Sequence, residues 1–127
     1  MEETKKYLAP FDLAEKIIRI LDSKRAKNIR LLHVEDLTVL TDYFVICSGN
    51  SNTQIKALAG EVEFQLGEEG LPPFHIDGYN EGTWVALDFG AVIVHIFNRE
   101  TRDFYNLEKL WGDSEEVDIK DILVTEE

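Results

Sequence analysis

Residues 83–97 read T-W-V-A-L-D-F-G-A-V-I-V-H-I-F, and this run constrains the fold more than any other part of the chain. Trp84–Asp88 and Ala91–Phe97 are rich in β-branched and aromatic residues and are separated by Phe89-Gly90, which predicts a tight β-hairpin. A two-residue turn at that point sets Asp88 opposite Ala91, Leu87 opposite Val92, Val85 opposite Val94 and Trp84 opposite His95. Side chains alternate across a strand, so one face carries Val85, Leu87, Val92, Val94 and Ile96. The other carries Trp84, Ala86, Ile93, His95 and Phe97. A hairpin wetted on one side shows a polar residue at every second position, and this one does not. Either helices cover both faces or one face is kept for a partner.

The number of helices decides between these. Pro10–Ser23 places Phe11, Ala14, Ile17, Ile18 and Leu21 at amphipathic spacing behind a first-turn proline, which predicts a helix. Lys24, Arg25 and Lys27 follow as cations suited to its C-terminal dipole. Asn28–Val34 and Tyr43–Ser48 read as strands, the second a continuous apolar run of the kind found inside a sheet. Ser51-Asn-Thr-Gln54 is a capping-box pattern opening a second helix whose stripe is Ile55, Leu58, Ala59, Val62 and Leu66. Gly70 and Pro72-Pro73 end it. Phe74–Asp77 is a short strand that leads into the hairpin, and short helical turns follow at Arg99–Tyr105 and Leu107–Trp111.

The expected order is α-β-β-α-β-β-β: one α/β domain with a mixed five-stranded sheet and two main helices. Its boundaries are an N-terminal extension over 1–9, the domain over 10–113, and a mobile acidic tail over 114–127 in which Ile119, Ile122 and Leu123 are available to dock. Two substantial helices cover one face of such a sheet. An apolar second face is then left over, which marks an interaction site.

Composition narrows the partner. With 25 acidic and 13 basic residues the net charge is −12, a surface that repels nucleic-acid phosphate, so no direct nucleic-acid readout is expected. A basic protein partner gains from the opposite potential. The single cysteine, Cys47, lies in an apolar run and reads as a buried structural thiol, in keeping with a reducing compartment. The N-terminus lacks the apolar core of a signal peptide, and Asp88 and Gly90 interrupt the longest apolar run well short of the roughly 20 residues that span a bilayer. A soluble cytoplasmic chain without membrane contact is expected.

Chemistry finds little support in the motifs. Ser48-Gly49-Asn50-Ser51 joins a strand to a helix start, where amides cradle phosphates, but it lacks the spacing of a phosphate-binding loop or of a dinucleotide fingerprint. A nucleotidyltransferase would add a strand-borne pair of metal-binding carboxylates. Glu61-Val62-Glu63 lies in the helix, and Asp77 and Asp88 have no acidic partner two positions away. His33, His75 and His95 show no metal-ligand spacing. No cofactor, metal or catalytic residue is therefore expected, and a nucleotide-handling enzyme built on Ser48–Ser51 is the rival reading. The positive signal is aromatic: Trp84 and Tyr105 read as interface, His95 and Phe97 as interface or core, and Phe104, Leu107, Leu110 and Trp111 as side chains that pin the helical turns to the sheet.

Three segments, D-L-T-V-L-T-D-Y-F-V-I-C-S-G-N-S (Asp36–Ser51), W-V-A-L-D-F-G-A-V-I-V-H-I-F (Trp84–Phe97) and R-D-F-Y-N-L-E-K-L-W-G-D (Arg102–Asp113), closely resemble the ribosomal silencing factor family, also called iojap-like, over roughly residues 10 to 113. The resemblance implies a nucleotidyltransferase-like topology without the catalytic carboxylates. It implies binding to large-subunit ribosomal protein L-fourteen, where the small subunit would dock, and so a steric block to subunit joining that lowers translation when nutrients are short. The family surface maps here to Trp84, Leu87, Asp88, His95, Phe97, Tyr105, Leu107 and Lys109. In the register above Leu87 falls on the opposite strand face from Trp84, so one of the two is expected in the core. The same apolar patch suits a homodimer of the free protein.

Overall fold

The computed structural model describes residues 8–124. The expected N-terminal extension lies outside the described residues except for Leu8 and Ala9. Helix α1 (Pro10–Ser23) forms where the periodicity places it, with Pro10 at its first turn and Asp12 near its positive end. It buries Leu13, Ala14, Ile17, Ile18 and Leu21. Phe11 sits at the rim with its ring edge toward Tyr43. Lys27 does not serve the helix end as expected; it opens strand β1 (Lys27–His33), which pairs with β2 (Tyr43–Ser48).

Helix α2 (Asn52–Glu68) starts on the Ser51 cap, whose hydroxyl accepts the Gln54 amide at 3.0 Å. The Gln54 side chain reaches one residue further back than the capping-box pattern predicts, accepting the amide of Asn50. At the other end Gly70 adopts φ +79°, and the bonds Leu71 N–H to Leu66 O and Gly70 N–H to Gly67 O close a Schellman motif. Strand β3 (His75–Asp77) then leads to the hairpin of β4 (Trp84–Asp88) and β5 (Val92–Phe97).

The hairpin turn is displaced by one residue from the expected one. Phe89 N–H bonds Val92 O at 2.9 Å, Gly90 takes φ +87°, and the Asp88 carboxylate accepts the Gly90 amide at 2.8 Å. The turn therefore centres on Gly90-Ala91, and Trp84 stands opposite Phe97, Val85 opposite Ile96 and Leu87 opposite Val94. Every partner moves by two residues, an even number, so each side chain keeps its expected face.

Among the described residues six strands run in the order β3-β4-β5-β2-β1-β6, and of these only β2 and β5 are parallel neighbours. One face is sealed under α1 and α2, where Val85, Leu87, Val92, Val94 and Ile96 have no exposed area. The opposite face carries a smaller cluster of Leu32, Val34, Phe44, Ile46 and Phe97. It is covered in part by α3 (Arg99–Tyr105) and α4 (Leu107–Leu110), which supplies Leu107.

Within the described residues the acidic C-terminal segment, expected as a mobile tail, packs on the domain. Glu115–Val117 forms β6, a sixth strand, antiparallel to β1 with Val117 opposite Leu31. Beyond it Ile119 and Ile122 are buried in the helix-side core, and the Asp22 carboxylate accepts the Val124 amide at 2.8 Å. Three apolar side chains spaced among carboxylates are enough to close that end of the sheet, and Arg30 binds Glu116 across it. Ile122→Ala is therefore expected to lower the unfolding free energy by about 2 kcal/mol or more in a urea titration. A change below about 0.5 kcal/mol would mean that the segment does not belong to the folded unit.

Candidate protein interface

Two asparagines set the short helices that lie over the second face. Asn98 caps α3 by accepting the Thr101 amide at 2.8 Å, and Asn106, in the left-handed region at φ +47°, ends α3 and caps α4 by accepting the Lys109 amide. Arg102, buried in α3, then ties three elements together. Its Nη1 donates to the Ser48 hydroxyl at 2.8 Å, while Nε and Nη2 donate to the Glu108 carboxylate at 3.0 and 2.6 Å. This fork holds both short helices against the end of β2.

Fixing those helices sets the direction of their apolar residues. Leu107 points in, whereas Phe104 is 79% exposed, Leu110 72% and Tyr105 51%. The expectation that Phe104 and Leu110 pin the helices to the sheet is thus reversed. Both project outward, Phe104 against Tyr105, while Leu107 and the partly buried Trp111 do the pinning. The rings form a continuous series from core to surface. Trp111 meets Phe44 at 5.2 Å, Phe44 meets His95 at 5.1 Å, and His95 lies 5.9 Å from Trp84. Trp84 is stacked on Phe97 at 4.9 Å and lies 4.8 Å from Tyr105, which meets Phe104 edge-on at 5.0 Å.

Within that series the Trp84 indole N–H donates to His95 Nδ1 at 3.0 Å. Indole is a donor only, so this bond assigns the His95 proton to Nε2. Nε2 is buried and meets no side chain or backbone partner among the described residues. Desolvation lowers the His95 pKa to about 4, so the ring is neutral at physiological pH. Cys47 is likewise sealed, and burial pushes its thiol up to about 12, far from a nucleophile's range. Among the described residues no group of three His, Cys, Asp or Glu side chains is placed to hold a metal ion.

The residues expected at the surface divide accordingly. Tyr105 and Lys109 are exposed, Trp84 and Asp88 half-buried. His95, Phe97 and Leu107 lie beneath the rings as their support. Leu87 is completely buried on the opposite, helix-covered face, so no partner reaches it. Asp88 is occupied by the hairpin turn, at the far end of β4 from Trp84.

A family model described as "Ribosomal silencing factor during starvation" matches residues 8–127. This chain belongs to the ribosomal silencing factor family. A ribosomal silencing factor from Bacillus subtilis is 44% identical over 98 residues, covering 77% of this chain and 83% of that protein. One from Halalkalibacterium halodurans is 35% identical over 112 residues, covering 88% and 96%. A crystal structure of a Chromobacterium violaceum protein superimposes with a TM-score of 0.80 at 34% identity, covering 83% of this chain and 88% of that one. The family match runs on through the acidic segment, beyond the 10–113 that the three sequence motifs delimit. That agrees with β6 and the buried Ile119 and Ile122 belonging to the silencing-factor domain.

The neutral, buried His95 makes a prediction for this silencing factor. Its folded pKa lies below its unfolded value of about 6.5, so the unfolded chain binds more protons between about pH 4 and 6.5. The contribution is fully present above about pH 6.5 and is lost as the pH falls toward 4, with a span of about 3 kcal/mol. His95→Asn keeps an acceptor for the indole and does not titrate, so its stability is expected to decline less steeply over that window. Parallel slopes for the two proteins in urea titrations at stepped pH would show that His95 titrates normally.

Proposed function

We propose that this silencing factor binds large-subunit ribosomal protein L-fourteen through the exposed ring strip and sterically blocks association of the large and small ribosomal subunits, repressing translation under nutrient limitation. The observation that carries this reading is the strip itself: Phe104 and Tyr105 stand outside on the firmly held α3, contiguous through Tyr105 with the half-buried Trp84, and Leu110 is exposed on α4. A fully exposed aromatic side chain offers roughly 150–250 Å², and a partner covers only the part still open on Phe104, Tyr105 and Trp84, which at about 25 cal/mol/Å² supplies a few kcal/mol each. Association costs take part of that, so two or three anchors are needed. The charge of −12 suits a basic partner set among ribosomal surfaces and speeds encounter with it.

Family membership supports the same reading, since the resemblance implies this partner and this mode of action. Trp84, Tyr105 and Lys109 serve as contacts, with His95, Phe97 and Leu107 positioning them. The chain acts without catalysis, as a wedge. Because the strip is apolar, the free protein self-associates through it, and L-fourteen competes for the same rings.

The test is calorimetry with purified L-fourteen, together with light scattering of subunit joining. Tyr105→Ala and Phe104→Ala are each expected to cost about 2 kcal/mol of affinity and to relieve the block to joining, with unfolding midpoints unchanged. Trp84→Ala weakens binding as well, by removing the ring on which Tyr105 rests. Wild-type affinity in all three would place the interface elsewhere. In sedimentation, rising concentration is expected to yield a dimer that L-fourteen converts to a one-to-one complex; a strictly monomeric protein would remove the self-association alone.

A further inference from the structure

A second feature lies at the carboxyl ends of the parallel pair. After β2 the chain turns to α2 on one face of the sheet, and after β5 it turns to α3 on the other, which leaves a crevice between the two connections. Open α/β sheets bind ligands at such a point of divergence. Here the crevice holds a cavity of about 640 Å³, within the range of small-molecule sites. Ser48, Gly49 and Asn50 form one wall and Arg99 and Arg102 the other, while Lys27 and Arg30 close the third side.

Four of the 13 cations of a strongly acidic chain therefore line one hollow. The acids that line it are Asp103 and Glu108, and Glu116 binds Arg30 from outside it. Glu108 is engaged by Arg102 and Arg30. Lys27 and Arg99 make no ion pair among the described residues, so their charge is available.

The backbone is bent to achieve this. Lys27 and Arg30 are three positions apart and would face opposite sides of a regular strand. The β1–β2 register slips between them, with Asn28 at φ +50°, so that Lys27 stands opposite Ser48 and Arg30 opposite Ile46. Both cations thereby share the face on which Ser48 receives Arg102. Bulges of this kind re-aim side chains beside binding sites.

We propose that this crevice binds a compact polyphosphate anion, free or carried on a nucleotide, held by Lys27 and Arg99, with Arg30 and Arg102 lining the site beside them. Planar guanidinium groups match phosphate oxygens in pairs. A hollow suits a compact anion better than a polymer, because a strand of RNA leaving the crevice would run onto the acidic remainder of the surface. The site is separate from the ring strip, and the proposal does not depend on L-fourteen.

The test is an amide chemical-shift titration of the full chain with pyrophosphate, with ADP and with a short single-stranded RNA, all without divalent metal. Saturable shifts at Gly49, Asn50 and Arg99 are expected with pyrophosphate and ADP. Equal affinities would identify the phosphates alone as the ligand, and tighter ADP binding would assign the nucleotide. Lys27→Gln and Arg99→Gln are each expected to weaken binding about tenfold while leaving the unfolding midpoint in place. The proposal is overturned by absence of saturation, by affinities that the two variants leave unchanged, or by shifts with RNA alone.

Discussion

The parallel pairing of β2 with β5 is the constraint on which the rest of the molecule depends. Parallel neighbours cannot be joined by a turn, so the chain between them must cross over, and here the crossover contains α2, β3 and β4. The crossover lays α2 beside α1 on one face and returns β4 as the antiparallel partner of β5. It also brings the carboxyl ends of both central strands to the same edge, where Ser48 meets Arg102. That contact fixes α3 and α4 over part of the second face, and the ring strip runs from Trp84 on that face to Tyr105 and Phe104 on α3. One topological choice thus creates both the sealed face and the open one.

Much of this was legible because local signals and global need agree. The stripe of α1, the Ser51 cap and the unbroken apolar run Tyr43–Ser48 each specify one structure, and the elements form where the pattern puts them. The faces of the hairpin were legible even though its turn was not. Asp88 captures the Gly90 amide and moves the turn on by one residue, but the even slip leaves Val85 and Leu87 on the core side and Trp84 on the other. The same parity explains why Leu87, drawn into the expected surface by resemblance, is buried.

Other features had no local signal. Phe104, Leu107, Leu110 and Trp111 show a single helical spacing, yet Asn106 in the left-handed region breaks the helix between them and resets its phase. Two of the four therefore face outward. Arg102 looks like any surface arginine until Ser48, 54 residues away in sequence, and Glu108 are brought around it. The acidic segment conceals its strand because β6 gains its apolar neighbours from β1 and the core, not from its own sequence.

The open face also depends on one buried polar contact. His95 lies beneath Trp84, where desolvation holds its ring neutral and Nδ1 accepts the indole N–H. Phenylalanine at that position would leave the indole N–H without its acceptor. The histidine thus fixes Trp84, whose ring in turn supports Tyr105. A surface anchor already held in its bound orientation loses less conformational freedom on association than one that must be ordered at contact. Departures from the best local choice gather at working surfaces, where they are offset by the rest of the fold. In this protein the offset is the helix-covered core, whose completeness lets the other side of the same sheet remain open and rigid at once.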